Sequence, residues 1–283
     1  MKSKKVIILI LVIFIVFNIS IQINNYAVDF ISNQKERSNG FLIGSEPYET
    51  LGNPDITILL IHGTSSSPKD FREISNFLAS KDISTKTILL PGHGTSPKDL
   101  ATKKYQDWVT AIEKEFNKIE SKNKFVLGYS LGGTLALDLS ENKNLNGVIG
   151  INSPIFLQTK FAPFIPLLKL VEKYHVAPPE TIILIRKEER SAYDAIPLAT
   201  IEEINKLVQQ LNLKKVTEPT LIIQTNNDTL VNPKSANFIY NEISSKNKNI
   251  LWLEDSTHED PDETEEIFIY NEIYNFIKEN SKP

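Results

Sequence analysis

The sequence predicts an α/β fold in which one mostly parallel sheet is covered by helices on both faces. Short, continuous apolar runs recur near residues 56, 87, 124, 147, 220 and 249, as expected for strands that are buried on both sides. Segments with apolar residues at helical spacing separate several of them. A Gly-x-Ser-x-Gly motif lies between one apolar run and a helix-compatible run, which is the strand-turn-helix context that this motif requires.

The N-terminal segment is distinct from the rest of the chain. Lys2, Lys4 and Lys5 precede a strongly apolar run over residues 6–17, and a diluted apolar character continues to Ile23. A charged start followed by such a run is typical of a signal sequence, and the run is just long enough to span a bilayer. No cleavage site of the Ala-x-Ala type follows. Residues 1–23 are therefore predicted to be a signal-anchor, with a removed signal peptide as the alternative.

The lysines of this segment should remain cytoplasmic, so the domain that follows should face outward. The chain is thus predicted to lie in the cell membrane with one N-terminal anchor, or to be secreted if the segment is cleaved. Residues 24–39 are predicted to form a polar linker. Residues 40–283 are predicted to form one domain, because 283 residues with 41% hydrophobic content suffice for one large core.

Helices are predicted over residues 68–79, 105–119, 233–243 and 265–277. The gap between the apolar runs near residues 147 and 220 is too long for a simple crossover, so a lid is predicted to be inserted at about 153–218. Its first half is apolar and should both pack on the core and wall a ligand pocket. The apolar residues of that half are Phe156, Leu157, Phe161, Phe164, Ile165, Leu167, Leu168, Leu170 and Val171.

Ser130 is the candidate nucleophile, because it is the serine of the motif at residues 128–132. The sharp turn exposes its hydroxyl above the sheet. A serine needs a base to activate it, and the base needs an orienting group. Among the histidines that follow Ser130, His258 lies in a polar loop after an apolar run, whereas His175 has no obvious upstream carboxylate. His258 is therefore the predicted base.

Asp228 is the predicted orienting carboxylate, because it follows the buried run at 220–225 and lies between Ser130 and His258 in the chain. Asp255 is the alternative, although it is too close to His258 in sequence to reach the far side of its ring easily. The backbone N–H groups of Leu131 and Thr64 are the candidate oxyanion-hole donors. His62 is predicted to hold the loop that contains Thr64, and His93 to shape the pocket wall.

Together these motifs resemble the α/β-hydrolase superfamily, and within it the bacterial carboxylesterases and monoacylglycerol lipases. The resemblance runs from about residue 40 to the C-terminus. It rests on His62-Gly63-Thr64 with Ser67-Pro68, the loop at 90–97, the Ser130 motif, Tyr193 with residues 196–198, Asp228 after its strand, and the segment from Trp252 to His258. It implies the α/β-hydrolase fold and a serine ester hydrolase with the triad Ser130, Asp228 and His258. The implied substrate is a small ester or an acylglycerol.

One departure from the family is visible. Glu259 and Asp260 follow His258, where an apolar residue is more usual, so the pocket edge is expected to be acidic. These acids should favour the protonated form of His258 in a salt-dependent way, unless they only cap the last helix.

Composition excludes several other classes of protein. The net charge of −4 and the lack of a basic run argue against nucleic acid as a partner. The absence of cysteine excludes disulfides and thiolate zinc sites, and no metal motif is present. No cofactor is expected, and the oligomeric state is not indicated. Two alternatives stay open: other serine chemistry on this fold (peptidase, acyltransferase or C–C hydrolase), and a non-catalytic surface binding protein.

Overall fold

The structure is a computed structural model that describes residues 2–158, 165–258 and 260–282. Three residues of the sequence analysis, namely Phe161, Phe164 and Glu259, therefore lie outside the described residues.

Within the described residues, the central sheet has seven strands and confirms the predicted α/β class. In spatial order they are β11 (Lys248–Leu253), β10 (Thr220–Thr225), β7 (Gly147–Ile151), β6 (Asn123–Tyr129), β4 (Asn53–Ile61), β5 (Ile83–Ile88) and β3 (Glu49–Thr50). All neighbours are parallel except β3, which pairs antiparallel with β5 at the edge. Every predicted strand is present, and the carboxyl ends of the parallel strands share one edge of the sheet.

Helices cover both faces of this sheet because side chains alternate along each strand. In β4, Leu59 and Ile61 face one apolar core, and Ile58 and Leu60 face the other. The first core contains side chains of α4 (Tyr105–Phe116), α5 (Leu131–Ser140), α8 (Leu198–Gln210) and α9 (Lys234–Glu242). The second contains side chains of α2 (Arg72–Ser80) and α10 (Glu263–Asn280). The predicted helices are thus present, although residues Pro68–Phe71 form a 3₁₀ turn before α2.

The inserted segment between β7 and β10 contains α6 (Ile165–Leu168), β8 (Tyr174–Val176), α7 (Pro179–Lys187) and β9 (Ala195–Pro197) before α8. β8 and β9 form a small antiparallel pair. Because α8 packs with α4 and α5 in the first core, the segment outside the sheet layers ends near residue 197, earlier than the predicted 218. We call residues 165–197 the cap.

The cap is joined to two loops at the carboxyl edge of the sheet. The Tyr193 N–H donates to the Ser65 carbonyl, and the Tyr193 hydroxyl donates to the Gly92 carbonyl. Arg190 forms an ion pair with Asp70 at 2.6 Å. These contacts place the cap beside the loops that follow β4 and β5. The loop after β5 leads into α3 (Pro97–Leu100).

The N-terminal residues form one long helix, α1 (Lys2–Asn33). Residues 4–33 are long and apolar enough to cross a membrane, and the most apolar part is not covered by the rest of the protein. The helix also includes residues 24–33, which the sequence analysis assigned to a polar linker. Here Asn24 bonds to the cap, and Val28 is buried against Tyr174 and Ala195. After α1, the short strands β1 (Arg37–Ser38) and β2 (Phe41–Leu42) pair antiparallel.

Candidate active site

Ser130 lies in the sharp turn between β6 and α5, at the carboxyl edge of the sheet. Its backbone has φ 52° and ψ −121°, a conformation that a residue with a side chain adopts only under strain. The side chain is partly exposed. The turn therefore presents the hydroxyl above the sheet, as the motif predicts.

Two glycines leave room for this turn. A Cβ atom on Gly128 would lie 1.9 Å from the Gly132 carbonyl oxygen, and a Cβ atom on Gly132 would lie 1.9 Å from the Ile61 carbonyl oxygen. Both distances are far shorter than any van der Waals contact. Hence β6, α5 and the end of β4 can pack this closely only with glycine at both positions.

His258 and Asp228 complete a hydrogen-bonded series that starts at Ser130. The His258 Nε2 atom lies 3.1 Å from the Ser130 Oγ, and the His258 Nδ1 atom lies 2.7 Å from the Asp228 Oδ2. Asp228 lies in the loop after β10, and His258 lies in the loop after β11. The structure therefore brings together all three residues that the sequence analysis selected, at the carboxyl ends of three parallel strands.

The Asp228 carboxylate is held by the backbone of its own loop. Its Oδ1 accepts hydrogen bonds from the N–H groups of Leu230 and Val231, at 2.9 and 2.7 Å. Its Oδ2 accepts a bond of 3.2 Å from the Gln224 side chain in addition to the contact with His258. These four contacts fix which oxygen faces the imidazole, and they satisfy a buried charge. Asp255, the alternative, is exposed, and its N–H donates to Glu265.

Glu265, on the first turn of α10, organises the loop that carries His258. One carboxylate oxygen accepts the N–H groups of Glu254 and Asp255, and the other accepts the N–H and hydroxyl of Ser256. Partial burial opposes ionisation, but these hydrogen bonds outweigh it and lower the pKa of Glu265 below its ordinary value. Sequence analysis missed this role because Glu265 is one acid among many in this region.

The other acids near His258 have local partners. Asp262 is the N-cap of α10, and its side chain accepts from the N–H groups of Thr264 and Glu265. The Glu254 carboxylate accepts from the Asn226 amide at 2.8 Å. Asp260 is exposed. Helix capping therefore accounts for part of the acidic cluster, as one of the two sequence-based interpretations has it.

Leu131 and Thr64, the predicted oxyanion-hole residues, lie in the turn after Ser130 and in the loop after β4. Leu131 is the first residue of α5, so its N–H has no acceptor within the helix. Thr64 follows Gly63, where a Cβ atom would lie 3.3 Å from the Ser130 Cβ. The loop after β4 thus passes against the turn that holds Ser130, and Thr64 is partly exposed beside it.

His62 and His93 are buried beneath these loops. The His62 Nδ1 lies 2.9 Å from the Gly63 carbonyl oxygen, and its Nε2 accepts the Leu90 N–H at 3.0 Å. Burial lowers the pKa of His62 to about 4, so the ring is neutral at pH 7. Burial and the neighbouring His62 also lower the pKa of His93. His93 packs between His62, Trp108 and Tyr193.

No group of three or more His, Cys, Asp or Glu side chains arranged to hold a metal ion occurs within the ranges 2–158, 165–258 and 260–282. The residues around Ser130 are those of acyl transfer: a hydroxyl, an imidazole, a carboxylate and backbone donors.

Comparisons with known proteins identify the family of the chain. The family model described as "Serine aminopeptidase, S33" matches residues 52–265. A carboxylesterase of Bacillus subtilis (strain 168) is 24% identical over 245 residues, which cover 84% of this chain and 98% of that protein. A thermostable monoacylglycerol lipase of Bacillus sp. (strain H-257) is 28% identical over 228 residues, which cover 77% of this chain and 88% of that protein.

Solved structures show the same fold. A structure described with the metagenome-derived lipolytic enzymes LipS and LipT has a TM-score of 0.75 and 26% identity, and the match covers 84% of this chain and 99% of that one. A soluble variant of monoglyceride lipase from Saccharomyces cerevisiae has a TM-score of 0.72 at 15% identity, with 88% and 95% covered. Because the family model matches well over half of the sequence, the chain belongs to the S33 serine aminopeptidase family of α/β-hydrolases.

Proposed function

We propose that the protein is a serine carboxylic-ester hydrolase of the carboxylesterase or monoacylglycerol lipase type. The observation that carries this proposal is the hydrogen-bonded series from Ser130 through His258 to Asp228, at 3.1 and 2.7 Å, on a strained turn. The relatives named carboxylesterase and monoacylglycerol lipase support the ester as the substrate class.

In this proposal the Ser130 Oγ attacks the ester carbonyl carbon while the His258 Nε2 accepts the hydroxyl proton. The Asp228 carboxylate accepts the Nδ1–H, which holds the ring in the required tautomer and stabilises the imidazolium. The C–O bond to the leaving alcohol then breaks, and His258 donates its proton to that alcohol. His258 then accepts a proton from water, whose oxygen attacks the acyl carbon. The bond between that carbon and the Ser130 Oγ breaks, His258 returns the proton to the Oγ, and the acid leaves.

The N–H groups of Leu131 and Thr64 are proposed to bind the oxyanion that forms in both tetrahedral intermediates. Two features support this assignment. The Leu131 N–H lies at the start of α5, where the helix dipole favours negative charge. Gly63 lets the loop that carries Thr64 approach the Ser130 turn.

The acyl group of the substrate is proposed to bind on the Asp228 side of the site and to be apolar. The Ser130 N–H donates to the Ile151 carbonyl at 2.8 Å, and Thr134, on the first turn of α5, donates to the Pro154 carbonyl at 3.0 Å, so the segment after β7 passes beside the Ser130 turn. Phe156 packs edge-to-face on Phe238 and is exposed, as is Leu230 in the Asp228 loop. These side chains form an accessible apolar surface of the kind that binds an acyl chain. Leu167 and Leu170, which were also predicted to wall the pocket, are exposed on the cap.

A fluorophosphonate probe and a substrate panel test this function. The probe should label the wild-type chain and fail to label Ser130→Ala. p-Nitrophenyl esters of increasing chain length should be hydrolysed, whereas peptide p-nitroanilides should not. Hydrolysis of the peptide panel alone would favour a peptidase, which the family description also names. A folded chain that the probe does not label would favour a binding protein.

The N-terminal helix is proposed to anchor the enzyme in the cell membrane with its catalytic domain outside, and the alternative is secretion after cleavage. Its basic start and its long, uncovered apolar part support this location. Full-length protein should sediment with membranes and be degraded by protease added outside. A chain that begins at Asn24 should be soluble and active. Recovery of the full-length chain in the cytosol would contradict this location.

A further inference from the structure

The loop after β4 contains a strained turn around Thr64, the proposed oxyanion donor. The Ser66 N–H donates to the Gly63 carbonyl at 3.4 Å, so Thr64 is the second residue of a four-residue turn. Ser65, the third residue, has φ 62°, a left-handed conformation that glycine adopts freely and that a residue with a Cβ atom adopts only under strain. The direction of the Thr64 N–H therefore depends on what keeps Ser65 in this conformation.

A residue of the cap, and not the Ser65 side chain, bonds to this turn. Ser65 is 6% exposed, and its hydroxyl has no hydrogen-bond partner within the described residues. Its carbonyl, in contrast, accepts the Tyr193 N–H at 2.8 Å. The position of the Tyr193 backbone therefore fixes the peptide group that follows Ser65.

Tyr193 is held in place from two directions. Its hydroxyl donates to the Gly92 carbonyl at 2.8 Å and accepts the Thr95 N–H at 2.7 Å. The side chain of the next residue, Asp194, is only 2% exposed, and its carboxylate accepts a hydrogen bond of 2.8 Å from the Lys35 Nζ. Loss of the cation from a buried ion pair is strongly unfavourable, because the remaining charge is then uncompensated. Lys35 thus holds Asp194, and with it the backbone of Tyr193.

Lys35 comes from the segment that follows α1, and this segment is well anchored. The Lys35 N–H donates to the Ser32 carbonyl at 3.3 Å in the turn that ends the helix. The Arg37 guanidinium donates to the same carbonyl at 3.1 Å and also to the Thr95 carbonyl. Lys35 therefore reaches Asp194 from a fixed position. It lies outside residues 52–265, which the family model matches.

We propose that Lys35 is a positioning residue for the oxyanion hole. Its ion pair with Asp194 fixes the Tyr193 N–H, which holds Ser65 in the left-handed conformation. The Thr64 N–H is thereby kept directed at the oxyanion that forms during the reaction. The segment after α1 then contributes to catalysis as well as to attachment. This inference rests on the proposed ester hydrolysis and on Thr64 as an oxyanion donor.

Steady-state kinetics of the full-length chain in detergent test this role. Lys35→Met removes the charge at similar side-chain length, and Lys35→Arg keeps it. Lys98→Met is the matched control, because Lys98 forms an ion pair of 2.5 Å with Asp29 of α1 in which both side chains are exposed. All rates are measured well below the unfolding temperature of the least stable variant, and active sites are counted with a fluorophosphonate.

Lys35→Met should lower kcat for p-nitrophenyl acetate by about tenfold, as part of the 10²–10³-fold that loss of a whole oxyanion donor costs. KM should change by less than about twofold, because the donor acts mainly in the transition state. Lys35→Arg should stay within about threefold of wild type, since it retains the ion pair. Lys98→Met should keep the wild-type kcat, because an exposed ion pair contributes little.

A trifluoromethyl ketone separates positioning from folding. Such a ketone forms a tetrahedral adduct with Ser130 whose oxyanion occupies the hole, so its affinity should fall in Lys35→Met by the same factor as kcat. A purely structural role would lower the number of active sites and leave the affinity of the remaining sites unchanged.

Two substitutions of Ser65 test the route from Lys35 to Thr64. Ser65→Gly removes the Cβ atom that makes the left-handed conformation unfavourable, whereas Ser65→Ala keeps it. In the Ser65→Gly chain, adding Lys35→Met should lower kcat by no more than about threefold, since the turn no longer needs to be held against strain. In the Ser65→Ala chain, the same addition should still cost about tenfold.

Several results would overturn the proposal while ester hydrolysis by the wild-type chain stands. These are an unchanged kcat in folded Lys35→Met, a lower kcat with unchanged affinity for the ketone, and equal losses in the Ser65→Gly and Ser65→Ala chains. If Lys35→Met does not fold, Lys35→Met with Asp194→Asn removes the pair without leaving a buried charge, and the same results are expected of it. A wild-type chain that neither hydrolyses esters nor reacts with the fluorophosphonate would instead contradict the proposed function, and the inference with it.

Discussion

His62 and His258 are both buried histidines at the carboxyl edge of the same sheet, yet their surroundings differ in kind. They are 1% and 4% exposed, respectively. Both ring nitrogens of His62 contact backbone groups, namely the Gly63 carbonyl and the Leu90 N–H. Both ring nitrogens of His258 contact side chains, namely the Asp228 carboxylate and the Ser130 hydroxyl.

These partners decide what each ring can do. A proton on the His62 Nε2 would face the Leu90 N–H, so only the neutral ring with hydrogen on Nδ1 satisfies both contacts. The carboxylate beside His258 stabilises an imidazolium, and the serine hydroxyl supplies a proton that the ring can accept. Burial alone does not make a histidine a base; the chemistry of its two hydrogen-bond partners does.

Substitution of His258 or Ser130 should reduce ester hydrolysis far more than substitution of His62. Ser130→Ala and His258→Ala should each lower kcat/KM for a p-nitrophenyl ester by at least about 10⁴-fold. His62→Gln, which keeps one donor and one acceptor, should leave the chemical step intact in the folded protein. Circular dichroism and thermal unfolding verify that each variant is folded. Near-wild-type hydrolysis by either folded alanine variant would rule out the proposed roles.

Asp228→Asn should have the next largest effect, about 10³–10⁴-fold on kcat, because the amide can favour the wrong tautomer of His258. Asp255→Asn is the matched control, since its carboxylate is exposed and its loop is held by its backbone N–H. Steady-state kinetics of both variants decide between them. A larger loss of kcat in Asp255→Asn than in Asp228→Asn would show that Asp255, and not Asp228, orients His258.

His62 should affect the free energy of unfolding and its dependence on pH. Its pKa is about 4 in the folded protein, against about 6.5 for an exposed histidine. Between these values the unfolded chain binds a proton that the folded chain does not, so stability falls as pH drops from about 7 towards 4. The contribution of this ring to that loss reaches about 3 kcal/mol. Burial of His93 acts in the same direction.

Urea unfolding at pH 7 and pH 5 measures this effect. His62→Gln should be less stable than wild type at pH 7, by about 1–3 kcal/mol, because the amide oxygen and nitrogen are spaced differently from the ring nitrogens and cannot reach both the Leu90 N–H and the Gly63 carbonyl. It should also lose less stability on going to pH 5, because one of the two buried rings whose pKa is lowered is gone. If the free energy of unfolding falls by the same amount from pH 7 to pH 5 in both proteins, the folded state does not keep His62 neutral at pH 5.

Glu265→Gln should have the smallest effect on activity, about tenfold on kcat. The amide nitrogen cannot accept, so two of the donors that hold residues 254–256 lose their partner and His258 is less well positioned. Glu263→Gln, on the same helical turn but exposed, is the control. A positioning role predicts a lower kcat with little change in KM. A loss of stability with unchanged kcat would assign Glu265 to folding alone.

The sequence predicted the parts of the site that depend on chain order and strand ends. Ser130, Asp228 and His258 each follow a recognisable strand, and parallel strands bring their carboxyl ends to one edge. The sheet and its covering helices were predictable for the same reason, since continuous apolar runs and helical periodicity are local signals.

Roles that depend on distant partners were not predictable. Asn24 has the polarity of a linker residue. Its partner Tyr174 lies 150 positions further along the chain, so no local pattern reveals the contact. Glu265 reads as one of several helix-capping acids, yet it holds the His258 loop. Ser67 precedes Pro68 at the start of the 3₁₀ turn, yet its side chain makes no capping hydrogen bond. The point at which the inserted segment rejoins the core depends on the packing of α8 on α5, a tertiary contact that has no local signal in the sequence.

The close approach at Gly132 has a consequence for how the site tolerates change. A single missing methyl group sets the spacing between the end of β4 and the start of α5, which carry the loop of Thr64 and the N–H of Leu131. The backbones that carry the two halves of the proposed oxyanion hole are therefore in direct contact at this point. Substitutions elsewhere in the cores can shift helices against the sheet. The backbone contact between Gly132 and Ile61 limits how far the Ser130 turn can move relative to the loop that carries Thr64. Amino-acid changes in the cap that leave its hydrogen bond to this loop intact can therefore alter its shape without changing the distance between the proposed nucleophile and the oxyanion-hole donors.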